Sequence, residues 1–100
     1  MQHIHILMVD DHPIIIEGYQ NTLMASKKEH QILDIDTAND CDTANELLRR
    51  ATKERPYDVC FFDISLPGSS DGKLTSGEDL AKLTRMIMPN AKIVILTMFN

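Results

Sequence analysis

The chain has 100 residues, of which 43% are apolar and 25% are charged, and these values are close to those of an ordinary globular domain with one core. Its 15 acidic residues outnumber the 10 basic ones, and a net charge of −5 argues against a surface for nucleic acid or for an anionic membrane. No lysine or arginine precedes Lys27, and His3 and His5 interrupt the first apolar run, so we expect neither a signal peptide nor a membrane helix, and a cytoplasmic location.

The first half of the chain predicts two strands on either side of a helix. Residues 3–9 are mostly apolar and β-branched, as expected for a strand that is covered on both faces. Pro13 suits the first position of a helix, where a missing N–H group leaves no hydrogen bond unmade, and apolar residues then recur at helical spacing. Residues 31–38 predict a weaker strand, and the outward aspartates Asp34 and Asp36 are typical of a strand at the edge of a sheet.

The second half of the chain continues this alternation. Asp42 is the predicted cap of a second helix, whose apolar residues form one stripe and which ends before Pro56. The elements that follow are a strand at 57–62, a Gly- and Ser-rich loop at 67–77, a helix at 78–88 and a strand at 92–97. Strands that alternate with helices of this length imply right-handed crossovers, and therefore an α/β fold with a parallel sheet and helices on both faces.

Acidic residues follow two of the predicted strands. Asp10 and Asp11 come after the first strand, and Asp63 comes after the third. In a parallel sheet these carboxyl ends share the edge at which ligands bind, and Thr97 ends the fourth strand at the same edge. Three neighbouring carboxylates repel one another unless a hard cation such as Mg²⁺ joins them. One aspartate could then attack a phosphoryl donor and form an acyl phosphate, so the pattern predicts a metal and phosphoryl site.

Three short segments carry a family resemblance, in the order MVDDHP (residues 8–13), FFDISLPG (residues 61–68) and ILT (residues 95–97). The chain resembles the receiver domains of response regulators in bacterial two-component signalling. The sequences DDHP and LTM are similar to those of the branch in which a helix-turn-helix output domain follows the receiver. The resemblance implies a flavodoxin-like doubly wound parallel sheet with the strand order 2-1-3-4.

The resemblance extends along the whole chain, and residues 1–100 are interpreted as one receiver domain that is truncated at its C-terminal end. Domains of this family continue with another helix, a fifth strand that ends in a lysine, and a last helix. The resemblance places all three after Asn100, so the fifth strand and the last helix are expected to be lacking here. No lysine of this chain occupies the place of the family's lysine.

The resemblance also implies a role for each candidate site residue. Asp63 would accept a phosphoryl group from a sensor histidine kinase. Asp10, Asp11 and Asp63 would hold Mg²⁺ together with the backbone carbonyl of Ser65, and Thr97 would be the hydroxyl that turns toward the phosphoryl group. The chemistry would be self-catalysed phosphoryl transfer and hydrolysis, and not the turnover of a metabolic enzyme. In the full-length protein a C-terminal region would carry the output domain and reach DNA, so that phosphorylation regulates transcription.

Other interpretations of the same residues stay open at this stage. Asp10 and Asp11 could cap the first helix, and Asp63 taken alone could be a turn residue. A phosphatase with an aspartyl nucleophile would usually have a second aspartate two residues after the first, where this chain has Ser65. An interaction module that does not depend on phosphorylation is a further alternative, because the family's lysine is absent from these residues. His12 is interpreted as a residue that begins the first helix.

The fourth predicted strand has a consequence for association. Residues 93–96 read Ile-Val-Ile-Leu, and the strand order places them at an edge of the sheet. An unpaired apolar edge invites pairing with another chain. We therefore expect these 100 residues to form a homodimer or a swapped dimer through the fourth strand, or to aggregate. Residues 69–76 look like a surface insertion that costs the fold little.

Overall fold

The computed structural model describes residues 1–97, in which strands and helices alternate as the sequence predicts. The elements are β1 (Gln2–Val9), α1 (Pro13–Ser26), β2 (Gln31–Ala38), α2 (Cys41–Lys53), β3 (Val59–Asp63), α3 (Gly77–Ile87) and β4 (Lys92–Leu96). All strand pairs are parallel, and the order across the sheet is β2-β1-β3-β4. The predicted α/β class and the strand order 2-1-3-4 are confirmed. Within residues 1–97, no helix has the length and apolar character needed to cross a membrane.

The core lies on the face of the sheet that α2 and α3 cover. Leu7 pairs with Cys60 and Val9 pairs with Phe62, so these four fully buried side chains share one face of β1 and β3. The helices add further fully buried side chains, among them Ala44, Leu48 and Leu80. Close packing of this face holds the register of β1 against β3. The carboxyl ends of these two strands are therefore held at a constant separation.

The start of α2 differs from the prediction. The N-cap residue is Asp40, whose carboxylate accepts a hydrogen bond of 2.7 Å from the Thr43 N–H group. The prediction of Asp42 as the cap is wrong, because a cap must lie before the first turn and Asp42 lies within it, where a negative charge still favours the helix dipole. The Asp42 carboxylate accepts instead from the Ser70 N–H group, at 3.2 Å and 3.3 Å. It thereby ties the loop before α3 to α2.

The side chains of the two β2 aspartates contact residues of other segments and do not face solvent alone. The prediction that β2 is an edge strand is confirmed, but Asp36 is only partly exposed and accepts a hydrogen bond of 2.7 Å from the Tyr57 hydroxyl. The His5 Nε2 atom lies 3.1 Å from the same carboxylate. Asp34 pairs with Arg55 at 2.8 Å, and the hydrogen bond from Arg55 lowers the pKa of this carboxyl group. Polar contacts therefore join β1 and β2 to the segment between α2 and β3.

The edge position of β4 predicts that the chain associates through this strand. Within residues 1–97 β4 pairs only with β3, and Val94 on it is 39% exposed. We expect the weight-average mass of the 100-residue chain to rise with concentration in light-scattering measurements, and Val94→Lys to suppress the rise because a charge on an edge strand opposes pairing. Met86→Lys is the matched control, since Met86 is an exposed apolar residue of α3. A wild-type chain that stays monomeric at high concentration would contradict the prediction.

Candidate metal and phosphoryl site

The carboxyl ends of β1 and β3 bring together three aspartates from distant parts of the sequence. Asp10 follows β1 directly and Asp63 is the last residue of β3, and the pairing of Val9 with Phe62 places them side by side. Asp10, Asp11 and Asp63, together with His12, each offer one ligand atom, and the four atoms all lie within 4.8 Å of one another. The strand pattern predicts this convergence of carboxylates, and the described structure has it.

Two of the three carboxylates are buried. Asp10 is 1% exposed and Asp63 is 0% exposed, whereas Asp11 lies at the surface. Burial of a charged carboxylate is costly unless hydrogen bonds and an opposite charge compensate for it. The Asp10 carboxylate accepts hydrogen bonds from the His12 N–H group at 2.9 Å, and its Oδ1 atom lies 2.7 Å from His12 Nδ1. The backbone N–H group of Asp10 donates to the Ala38 carbonyl at 3.1 Å, and this bond joins the end of β1 to β2.

His12 belongs to the site, which sequence reasoning missed. It is the N-cap residue of α1 and precedes Pro13, as expected of a residue that begins the helix, but its side chain makes no capping hydrogen bond. The ring turns back, so that Nδ1 also lies 3.0 Å from Asp11 Oδ1 and 3.9 Å from Asp63 Oδ2. Within residues 1–97 it is the sole basic side chain within 4.0 Å of these carboxylates. The hydrogen bond to Asp10, and next the charge of Asp11, raise the pKa of His12.

The two carboxylate oxygens of Asp63 have unequal surroundings. Oδ1 accepts hydrogen bonds from the Ser65 N–H group at 3.0 Å and from the Ser65 hydroxyl at 2.9 Å. Oδ2 has less than 1 Å² of accessible surface and no hydrogen-bond partner, and it is the one buried side-chain oxygen or nitrogen of residues 1–97 in this condition. Native proteins rarely leave such an atom unsatisfied, because the loss of hydration is not repaid. Oδ2 is thus the Asp63 oxygen whose lone pairs are left free for a cation.

The donor set of this cluster fits Mg²⁺. Carboxylate oxygens are the ligands that this hard cation prefers, and three aspartates offer such oxygens within 4.8 Å of one another. The unpartnered Oδ2 atom of Asp63 offers free lone pairs to the same ion. The residues present therefore fit the metal that the sequence predicts.

The other predicted site residues occupy more peripheral positions. Ser65 contacts the Asp63 carboxylate through its amide and hydroxyl groups, while the predicted use of its carbonyl as a metal ligand stays a prediction. Thr97 is exposed, lies outside the four-residue cluster, and follows Leu96, the β4 partner of Asp63. It is at the predicted edge of the sheet, and its role as a switch hydroxyl stays a prediction. Met98 of the LTM sequence lies outside the described residues.

The position of His12 predicts a pH dependence of stability in the absence of divalent cations. A group whose pKa is higher in the folded chain than its unfolded value of 6.5 stabilises the fold fully below that value and loses this effect as the pH rises through the folded pKa. In urea unfolding with a chelator present, the loss of stability in His12→Gln relative to wild type should therefore be largest below pH 6.5 and should shrink as the pH rises above that value. A difference that does not change with pH would contradict this assignment.

Comparison with known sequences identifies relatives of the whole segment. The family model for the response regulator receiver domain matches residues 6–100. The uncharacterized transcriptional regulatory protein YxjL of Bacillus subtilis is 28% identical over 97 residues, which are 97% of this chain and 38% of that protein. The transcriptional regulatory protein RcsB of Escherichia coli K12 is 27% identical over 100 residues, which are 100% of this chain and 42% of RcsB. The chain thus spans about two fifths of the length of these relatives.

Solved structures that are similar to this chain include response regulators of the same name. The RcsB response regulator of Salmonella typhimurium superposes with a TM-score of 0.70 at 26% identity, over 100% of this chain and 44% of that chain. A second structure, of RcsB from Salmonella enterica serovar Typhimurium bound to the promoter rprA in the presence of the phosphomimetic BeF₃⁻, gives a TM-score of 0.70 at 27% identity, over 97% of this chain and 44% of that chain.

Proposed function

Because the receiver-domain match takes in residues 6–100, this chain belongs to the response regulator receiver family, and we propose that it is a signalling switch controlled by phosphorylation of Asp63. The observation that carries the proposal is the state of Asp63: its buried Oδ2 atom lacks a hydrogen-bond partner within a cluster of carboxylates. A carboxylate with free lone pairs at a potential metal site is the nucleophile that phosphoryl transfer to aspartate requires.

The transfer step involves one bond made and one bond broken. A lone pair of the Asp63 carboxylate forms a bond to the donor phosphorus, and the bond from phosphorus to the donor nitrogen or oxygen breaks. The bonding electron pair leaves with the donor: the ring of a phosphohistidine leaves as an imidazolate, which takes a proton from solvent to become imidazole, and an acyl phosphate releases its acyl group as a carboxylate. Water later cleaves the acyl phosphate, which releases inorganic phosphate and restores the Asp63 carboxylate. The first step forms a modification on the chain itself and the second step removes it, so the chain acts as a switch and not as a metabolic enzyme.

The residues around Asp63 have separate tasks in this proposal. Asp10, Asp11 and Asp63, with the Ser65 carbonyl, would hold Mg²⁺, which neutralises charge on the transferring group when it is bound. Ser65 keeps the Asp63 carboxylate in one rotamer through its two hydrogen bonds to Oδ1. Thr97, one residue beyond the β4 partner of Asp63, would supply a hydroxyl donor to a phosphoryl oxygen. His12 would leave the carboxylates as the cation binds, because its ring and the ion compete for the same carboxylate oxygens.

The partners follow from the family and its named relatives. A phosphohistidine of a sensor histidine kinase is the proposed donor, and a cytoplasmic location is the corresponding compartment. RcsB is a transcriptional regulatory protein, and one of its structures has a promoter and a phosphomimetic bound. We extend this role to the whole protein of which the present chain would be the receiver, with an output domain that binds DNA.

The proposal is tested by intact-mass analysis after incubation with acetyl phosphate. We expect one phosphoryl adduct in the presence of Mg²⁺, none in the presence of a chelator, and loss of the adduct on treatment with hydroxylamine, which cleaves acyl phosphates. Release of phosphate from an unrelated phosphomonoester, with no adduct, would indicate a phosphatase instead. No adduct under any condition, with Mg²⁺ bound, would favour the interaction module that does not depend on phosphorylation.

A further inference from the structure

Gly77, the first residue of α3, is buried against the main chain of Asp63. A Cβ atom on Gly77 would lie 2.0 Å from the Asp63 carbonyl oxygen, 2.7 Å from its carbonyl carbon and 3.3 Å from Ile64 Cα. Real Cβ atoms essentially never approach other atoms within 3.0 Å. A side chain at this position would therefore require the start of α3 or the end of β3 to move by about 1 Å.

Space, and not backbone conformation, accounts for glycine at this position. Within residues 1–97, Gly72 is the glycine with a positive φ, at 74°, so the conformation of Gly77 is open to other residues. The first turn of α3 has its own cap, since the Ser76 hydroxyl accepts a hydrogen bond of 3.2 Å from the Glu78 N–H group. The feature specific to Gly77 is its contact with the peptide group of Asp63.

The main chain around Asp63 has little freedom to retreat from such a clash. The Ile64 N–H group donates to the Leu96 carbonyl at 3.0 Å, and the Asp63 carbonyl accepts from the Leu66 N–H group at 3.3 Å. Asp63 also pairs with Leu96 in the β3–β4 ladder. These bonds tie the end of β3 to β4 and to the loop that follows β3. Movement would break them or carry the Asp63 side chain away from Asp10.

We propose that Gly77 is a positioning residue for Asp63: the missing side chain lets α3 rest on the Asp63 peptide, and this contact fixes the carboxylate relative to Asp10 and Asp11. The inference rests on the proposed function of the same site. Mg²⁺ requires oxygen ligands at about 2.0–2.1 Å in near-octahedral geometry, so a displacement of about 1 Å is not absorbed by the ion. Displacements of this size also cost reactivity where reacting atoms must be aligned.

The test compares Gly77→Ala with two control variants. Gly18→Ala changes a glycine of α1 that has no atom within 4 Å of its Cβ position, and Glu78→Gln changes the next residue of α3, which is exposed. The readouts are the amide chemical shifts of Asp63 and Ile64 without metal, the Mg²⁺ affinity by calorimetry, and the phosphorylation rate at saturating acetyl phosphate. We expect shifted amides and at least about a tenfold loss of affinity and rate in Gly77→Ala alone.

Loss of folding must be separated from loss of positioning. Gly77→Ala is also measured in an osmolyte such as sarcosine, which restores compact structure without removing the clash. Full Mg²⁺ affinity and native Asp63 and Ile64 shifts in folded Gly77→Ala, in buffer or in osmolyte, would overturn the proposal. Ser76→Ala provides a second perturbation, because it loosens the start of α3 without adding atoms. We expect a smaller loss of Mg²⁺ affinity for it, and wild-type affinity in Ser76→Ala would also count against the proposal.

Failure of the proposed function would look different. A wild-type chain that binds Mg²⁺ but takes up no phosphoryl group would contradict phosphorylation of Asp63. The amide shifts and the Mg²⁺ affinity of Gly77→Ala would still report on positioning in that case. If Gly77 does not position Asp63, in contrast, Gly77→Ala has the same Mg²⁺ affinity and the same phosphorylation rate as wild type.

Discussion

Asp63→Asn is expected to lower Mg²⁺-dependent phosphoryl uptake from acetyl phosphate by at least about 100-fold, because an amide oxygen is a far weaker nucleophile than a carboxylate. The substitution keeps the size of the side chain and an oxygen that can accept the two hydrogen bonds from Ser65. The buried position of Asp63 should therefore stay filled and packed. Intact-mass analysis over time gives the rate for both chains.

Glu46→Gln is the matched control for Asp63→Asn. It also removes one negative charge from the chain, but at an exposed position of α2. We expect its phosphorylation rate to lie within about twofold of wild type, because a distant exposed charge is screened by salt. An adduct of equal mass and rate in Asp63→Asn would place the acceptor elsewhere and would refute the assignment of this residue.

The second large effect concerns the metal. Replacement of both Asp10 and Asp11 by asparagine should lower the Mg²⁺ affinity by at least about 100-fold, because changes outside the direct ligands of a metal alone cost 10–100-fold. Two of the three clustered carboxylates are lost, and with them most of the negative charge that attracts the ion. Calorimetric titration with MgCl₂ measures the loss directly.

The same substitution should also uncouple stability from Mg²⁺. A ligand that binds only the folded chain stabilises it by about 2.7 kcal/mol at a concentration 100 times its dissociation constant. Wild type should show this gain in urea unfolding as Mg²⁺ is added, whereas the double variant should show almost none at the same concentrations. Glu46→Gln again serves as the control for charge. An equal gain in both chains would mean that the ion binds outside the Asp10 and Asp11 pair.

The fold could be predicted from sequence because its signals are local. Alternation of apolar strands with helices, Pro13 at a helix start and the Asp10 and Asp63 positions after strands all depend on neighbouring residues. The predicted bounds of α3, 78–88, differ by one residue from the observed Gly77–Ile87, because the ends of a helix depend on capping and not on hydrophobicity. The choice of Asp40 over Asp42 as the cap of α2 depends on which carboxylate reaches the Thr43 N–H group.

Features that depend on contacts between distant residues could not be predicted in this way. Asp36 was predicted to face outward, but Tyr57 and His5 come from other segments to meet it. The ring of His12 has a local signal, since it directly follows two aspartates, yet its approach to Asp63 requires β1 and β3 to be paired. The contact of Gly77 with Asp63 likewise exists only once α3 has docked on the sheet.

The main chain at Asp63 touches three different segments. Its carbonyl group meets the start of α3 at Gly77 and the Leu66 N–H group of the following loop, and the Ile64 N–H group of the same peptide donates to the Leu96 carbonyl at the end of β4. A tilt of this one peptide plane would therefore act on the start of α3, the loop after β3 and the end of β4 together, without a relay of side chains.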